Sequence, residues 1–205
     1  MENDTYKTIL KPSKEVLHKD KNSKFYSYTF PVTTEEDVKS YLEVVKQQHP
    51  KAGHFCYAYQ LGKEPDQQVY RANDDGEPSN SAGLPIYGQI QSFEVTNILI
   101  VVVRYFGGVK LGVGGLINAY RTGAQLALEA STIVERTINI DYLITCDYDV
   151  INKVMRVIKE KNLNITDQKL ELDCQIWISV RKKEAANIFS MFDSIFKVTI
   201  KKTES

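Results

Sequence analysis

Nothing in this 205-residue chain reads as a membrane span, because its longest unbroken apolar run, Ile98 to Val103, falls far short of the roughly 20 residues a spanning helix needs. The N-terminal stretch Met1 to Leu10 is polar and lacks the apolar core of a signal peptide. A soluble, unsecreted, cytoplasmic protein with no membrane partner is therefore expected. Cysteine is scarce: Cys56, Cys146 and Cys174 form no close pair and are odd in number, which argues against a disulfide framework and a structural zinc site and suits a reducing compartment. With only His18, His49 and His54, no trio of histidine ligands gathers near any one segment. Excess charge of one sign is absent as well. Lys plus Arg equals Asp plus Glu at 26 each, so no global field draws the chain to nucleic acid or an acidic membrane, and any polyanion site must be local.

What is present is ordinary globular material, 42% hydrophobic and 25% charged, in a length that suits two small domains. Lys24 to Phe30 reads as a strand, and Thr33 with Glu36 has capping-box spacing for a helix whose apolar stripe is Val38, Tyr41, Leu42 and Val45. Phe55 to Gln60 and Val69 to Ala72 read as strands, and Asn73 to Ser79 as loop. A helix follows from about Ala82 to Gln91, broken early by Pro85. Ile98 to Val103 is β-branched and continuously apolar, the pattern of a strand buried on both faces. A glycine-rich stretch, Gly107 to Gly115, then leads into a helix with Leu116, Tyr120, Gly123, Ala124 and Ala127 on its buried face.

Beyond Arg136 the texture resets. Alternation at Ile138, Ile140, Tyr142, Ile144 and Cys146 predicts a half-buried strand, and Val150, Val154, Val157 and Ile158 predict a helix. A hairpin at Leu163 to Lys169 and Leu172 to Val180, a helix over Ala185 to Phe192 and a strand at Phe196 to Ile200 complete the order βαββαβ, that of a ferredoxin-like split fold. The fold class is thus α+β in two domains, 1–136 and 137–205.

Three segments carry possible chemistry. Five glycines between Gly107 and Gly115 suit unusual backbone angles or close approach, and a glycine loop opening a helix aims free N–H groups at an anion. Arg104, Lys110, Gly112, Gly114, Gly115 and the loop hydroxyl Ser79 form the candidate anion-binding set. No G-x-x-x-x-G-K-[ST] string is present, and Gly112-x-Gly114 lacks the third glycine of a dinucleotide fingerprint because position 117 is Ile; the plainer alternative is a tight connection that lets the helix pack. Asp74, Asp75 and Glu77, with His54 nearby, could bind a divalent cation or serve acid and base chemistry, although the same letters suit a solvated turn. His54 and Cys56 share a face of an extended strand, so a nucleophilic pair is conceivable beside the simpler reading of a packed thiol and a hydrogen-bonded imidazole. Tyr26, Tyr28, Tyr57 and Tyr59 would make either a stacking surface for single-stranded nucleic acid or core. The basic residues Arg181, Lys182, Lys183, Lys201 and Lys202 read as a solvated edge.

The strings Asp74-Asp75-Gly76-Glu77-Pro78-Ser79, Ala82-Gly83-x-Pro85 and Arg104-Tyr105-Phe106-Gly107-Gly108-Val109-Lys110-Leu111-Gly112-x-Gly114-Gly115-Leu116 closely resemble the hallmark motifs of the IMPACT/YigZ family. Ser23-Lys24-Phe25 and His54-x-Cys56-Tyr57-Ala58-Tyr59 support the resemblance, while Ser79-Asn80-Ser81 stands where that family commonly has Ser-Gly-Thr. The resemblance implies a first domain similar to the second domain of small-subunit ribosomal protein five and to domain four of elongation factor G, followed, as in bacterial members, by a ferredoxin-like domain. Translation is the theme those folds share. The expected function is a non-enzymatic binding protein linked to translation regulation, with RNA or a component of the translation machinery as partner, no cofactor, and an anion site at the glycine-rich loop. Two alternatives stand beside it: a metal-assisted hydrolase or transferase acting on a phosphorylated small molecule, and a pure protein-interaction adaptor.

Overall fold

The apolar run that is too short for a membrane is the centre of a sheet. The computed structural model describes residues 4–203; residues 1–3 and 204–205, the outer ends of the two expected domains, lie outside the described residues. In chain order, the first part contains β1 (Thr5–Ile9), β2 (Val16–Asp20), β3 (Ser23–Pro31), α1 (Glu35–Gln48), β4 (His54–Leu61), β5 (Val69–Asn73), α2 (Gly83–Ser92), β6 (Ile98–Tyr105), α3 (Gly112–Glu129) and β7 (Ile133–Thr137). Five of the strands form one sheet in the order β2-β3-β6-β4-β5, with every neighbouring pair antiparallel. β1 and β7 pair separately.

Because successive side chains of a strand point to opposite faces, β6 supplies two cores at once. Ile98, Ile100 and Val102 pack with Phe25, Cys56, Ala58 and the inward residues of α2 and α3. Leu99, Val101 and Val103 pack with Tyr28, Phe30, Tyr59 and the α1 residues Val38 and Val45. All six of these β6 side chains are fully buried, and each contributes about 1.5–3 kcal/mol of apolar burial. The same alternation decides the tyrosines. Tyr28 and Tyr59 are buried beneath α1, with Tyr26 and Tyr57 packed against the same cluster, so they are core and not an open stacking surface.

Two helix starts differ from expectation by small, explicable amounts. The capping box of α1 is Thr34 with Asp37, one residue beyond the expected pair: Thr34 Oγ1 accepts from Asp37 N at 3.1 Å, and Asp37 Oδ2 accepts from the backbone N–H of Thr33 and of Thr34. Those donors hold the Asp37 carboxyl below the usual carboxylate range. Pro85 does not break α2. It lies in the first turn, where its missing N–H would have had no intrahelical partner anyway.

In the remaining part, β8 (Asn139–Cys146), α4 (Ile151–Glu160), β9 (Asn164–Leu170), β10 (Cys174–Arg181), α5 (Lys182–Asp193) and β11 (Val198–Lys202) follow the order βαββαβ. Their sheet runs β11-β8-β10-β9, antiparallel throughout. Tyr142, Ile144 and Cys146 alternate inward on β8 and Cys174, Ile176, Ile178 and Val180 on β10, against Val154 and Ile158 of α4 and Ile188 and Phe192 of α5. The chain divides into two compact units, residues 6–136 and residues 137–205 together with the first five. The N-terminal residues therefore group with the second unit, where Asp4 accepts the N–H of Ile138 at 2.7 Å and pairs with Arg181 at 2.5 Å.

Candidate functional site

The first unit brings two distant sequence motifs together. β4, β6 and β3 lie side by side with His54, Arg104 and Phe25 directly opposite one another, so their side chains share the α2/α3 face. Arg104 sits at the end of a strand that is otherwise apolar and is itself 5% exposed. A guanidinium so buried needs a counter-charge, and Glu77 supplies it from the acidic loop: Arg104 Nη1 donates to Glu77 Oε1 at 2.6 Å. The same oxygen accepts the Tyr120 hydroxyl from α3 at 2.7 Å. The guanidinium also lies 5.7 Å from the Phe25 ring centre and 5.5 Å from that of Phe106, and its Nε is buried without a hydrogen-bond partner.

The rest of the acidic loop is occupied in building itself. Asp74 Oδ1 accepts from the N–H groups of Ala82 and Gly83 at 2.9 and 2.8 Å, and Oδ2 from Asn80 N at 2.8 Å. It thereby caps α2, whose own N-cap residue is an alanine. Asp75 Oδ2 accepts from Phe55 N at 2.6 Å, tying the loop to β4. Asp75 and Asn80 both adopt left-handed backbone, φ 42° and 61°, a region that asparagine and aspartate tolerate better than most side chains.

His54 Nδ1 is 2.8 Å from the Asp75 carbonyl, which can only accept, so this nitrogen carries the proton. Nε2 lies 4.0 Å from Glu77 Oε1. The three carboxylates expected as a metal or acid–base cluster thus address three different sets of donors, and among the described residues no group of three or more His, Cys, Asp or Glu side chains is gathered to hold a metal. Cys56 is not an activated nucleophile. It is fully buried, its thiol donates to the Asp74 carbonyl at 3.0 Å, and burial pushes its pKa up, whereas a reactive thiolate needs it lowered.

The glycine-rich segment connects β6 to α3. Gly107 N donates to Ser23 Oγ at 3.1 Å, and a Cβ at Gly107 would overlap the backbone of Asn22 and Ser23. Gly114, in the first turn of α3, has open space where a Cβ would be. Lys110, Gly112 and Gly114 are exposed, Gly115 is half-buried against Leu111, and Ser79 is exposed at the tip of the acidic loop. Phe106, Val109 and Val113 add exposed apolar surface to the same segment. Sequence reasoning missed Tyr120, Phe106 and the burial of Glu77. One signal was available: a tyrosine in a stripe of alanine and glycine must find a partner for its hydroxyl.

These features define a class: a two-unit α+β protein whose first unit locks an acidic loop onto the end of a central strand through a buried Arg–Glu–Tyr cluster and opens its last long helix with glycines. The Impact N-terminal domain family matches residues 21–128. A Haemophilus influenzae protein called an IMPACT family member is 34% identical over 80% of this chain and 79% of its own length. The Escherichia coli IMPACT family member YigZ is 38% identical over 65% of each chain. A crystal structure described as that of a hypothetical protein, 28% identical, covers 100% of this chain and 99% of its own at a TM-score of 0.74. The chain belongs to the IMPACT family.

Proposed function

We propose that the protein is a non-enzymatic binding protein of translation regulation, which holds the phosphate backbone of an RNA at the exposed N-terminal turn of α3. The observation that carries this reading is the contrast between two glycines: Gly107 is required by the packing of the chain itself, whereas Gly114 has nothing in front of it. Bare backbone N–H groups at a helix start bind anions, exposed Lys110 adds charge, and exposed Phe106 and Val113 offer surface for a base. Arg104, expected as part of the anion-binding set, is buried with its Nε out of reach of solvent and is not part of the exposed surface. The buried Arg104–Glu77–Tyr120 cluster acts as scaffold, holding the strand end from which the loop departs.

Membership of the IMPACT family supports the link to translation and a cytoplasmic setting. The βαββαβ connectivity with sheet order β11-β8-β10-β9 supports a ferredoxin-like second unit, and the family supports a first unit like the second domain of small-subunit ribosomal protein five. The test is fluorescence anisotropy of a short labelled RNA titrated with wild type, Lys110→Ala and Gly114→Val, with inorganic phosphate as competitor. Weakened binding in both folded variants is expected, with a salt slope reduced by about one in Lys110→Ala. Equal affinity in all three would remove RNA from the glycine loop and leave the protein-interaction adaptor.

A further inference from the structure

On the α1 side of the sheet, away from the glycine loop, a second cluster of polar groups borders an open cavity of about 540 Å³ whose lining includes Ser13, Glu15, Tyr28, Phe30, Gln48 and His49. Its hydrogens can be placed from valence alone. The Glu15 carboxylate can only accept, so Tyr28 donates its hydroxyl proton to Glu15 Oε2. The Tyr28 oxygen, 2.5 Å from His49 Nε2, must then accept from that nitrogen. His49 Nδ1, 3.0 Å from the Tyr105 hydroxyl, takes that proton as acceptor in the neutral ring. Burial holds the His49 pKa down, which keeps the ring neutral and the chain of donors running in one direction.

One acceptor is left over, on a side chain that is about half exposed. Among the described residues nothing pairs with Glu15 Oε1, and no lysine or arginine pairs with Glu15 at all; its only ionic neighbour is His49, at 3.6 Å. The walls are aromatic: Tyr28 and Phe30 lie nearly parallel, and Phe30 stacks on Tyr41 at 4.4 Å. The volume lies in the range of small-molecule sites. A carboxylate with a spare oxygen, beside aromatic rings and with no resident cation, is complementary to an organic cation, which gains both a charge-assisted hydrogen bond and attraction to the rings.

From this geometry we propose that the Glu15–Tyr28–Phe30 cavity is a binding site for an alkylammonium group. The ammonium donates to Glu15 Oε1, and its methylene chain lies along Phe30. A free diamine and a lysine side chain present the same chemistry.

The experiment is calorimetric titration of the full chain with putrescine and, separately, with a short lysine-containing peptide, each against sodium chloride of equal ionic strength. Saturable binding of either, with Kd below about 1 mM, is expected, and which of the two binds identifies the source. Glu15→Gln should weaken it by at least about tenfold, whereas Glu43→Gln, an exposed carboxylate outside the cavity lining, should retain it. Should Glu15→Gln not fold, wild-type resonances decide: the ammonium must shift those of Tyr28, Phe30 and His49. No saturation by either ligand, unchanged affinity in folded Glu15→Gln, or shifts confined to other residues would each overturn the proposal. None of those results bears on RNA binding at α3, which lies on the other face of the sheet.

Discussion

Glu77 and Arg104, 27 positions apart, meet at 2.6 Å with their side chains only 4% and 7% exposed. Burying two charges is tolerable here because each has further company, Tyr120 on the carboxylate and the Phe25 and Phe106 rings around the guanidinium. Removing one partner leaves the other charge buried and uncompensated, which costs about 3–5 kcal/mol. Arg104→Ala is therefore expected to lower stability by that order, well beyond the loss of a ligand contact, and Glu77→Gln should do the same to a lesser degree because the amide still accepts from Tyr120. Urea denaturation of both single variants and the double variant checks this. A double variant as unstable as the sum of the singles would show that the two side chains are not coupled.

The thiols make a second prediction. Cys56 and Cys174 are fully buried and Cys146 is 3% exposed; burial raises Cys56 and lifts Cys146 to about 11. Thiolate is the reactive form, so a disulfide reagent at neutral pH should find almost no reaction in the native protein and three thiols in denaturant. A rapid native phase at Cys56 would contradict its burial and restore it as a candidate nucleophile.

The parts of the fold that were legible in sequence are those where one side chain's environment follows from its neighbours along the chain. β6 shows as an unbroken β-branched run, α3 as a stripe of small residues, and the second unit as alternation followed by helical spacing. β2 did not show, because its turn at Lys21 and Asn22, φ 43° and 67°, has no glycine to mark it. The site was harder for the same reason in larger measure. Glu77 looks like any acidic loop residue, since the partners that bury it lie 27 and 43 positions away. Asp74 and Asp75 looked like metal ligands because composition records carboxylates and not the backbone N–H groups they accept from.

His49 should make stability depend on pH. Burial lowers its pKa in the folded protein, while in the unfolded chain it titrates near 6.5. The unfolded state then binds more protons as pH falls, so the contribution of His49 is fully present above about pH 6.5 and is lost as pH drops towards its folded value. Because His18 and His54 are also present, the comparison that isolates it is wild type against His49→Gln, with urea midpoints at about pH 7.5 and about pH 5.5. The midpoint should fall more in wild type over that interval than in the variant. Equal falls would mean that His49 keeps its ordinary basicity and that the Tyr28–His49–Tyr105 hydrogen bonds do not favour the neutral ring.

Gly107 and Gly114 separate what the glycine segment does for folding from what it does for binding. A Cβ at Gly107 has no room against Asn22 and Ser23, and the obstacle is backbone, which cannot rotate aside. Gly107→Ala should therefore force the segment off the end of β2–β3 and destabilise the protein by several kcal/mol, on the order of the larger values seen for overpacking. Gly114→Ala meets no obstacle. Its backbone is helical, where alanine is favoured over glycine by up to about 1 kcal/mol, so melting should be unchanged or slightly raised. If the open space at Gly114 exists for an anionic ligand, that stable variant should nonetheless bind RNA less tightly, and Gly114→Val less tightly still. Melting curves read beside RNA titrations distinguish the cases: a stable Gly114→Ala with full affinity would make the glycine a matter of chain economy, and a destabilised one would mean that α3 does not begin where the structure places it.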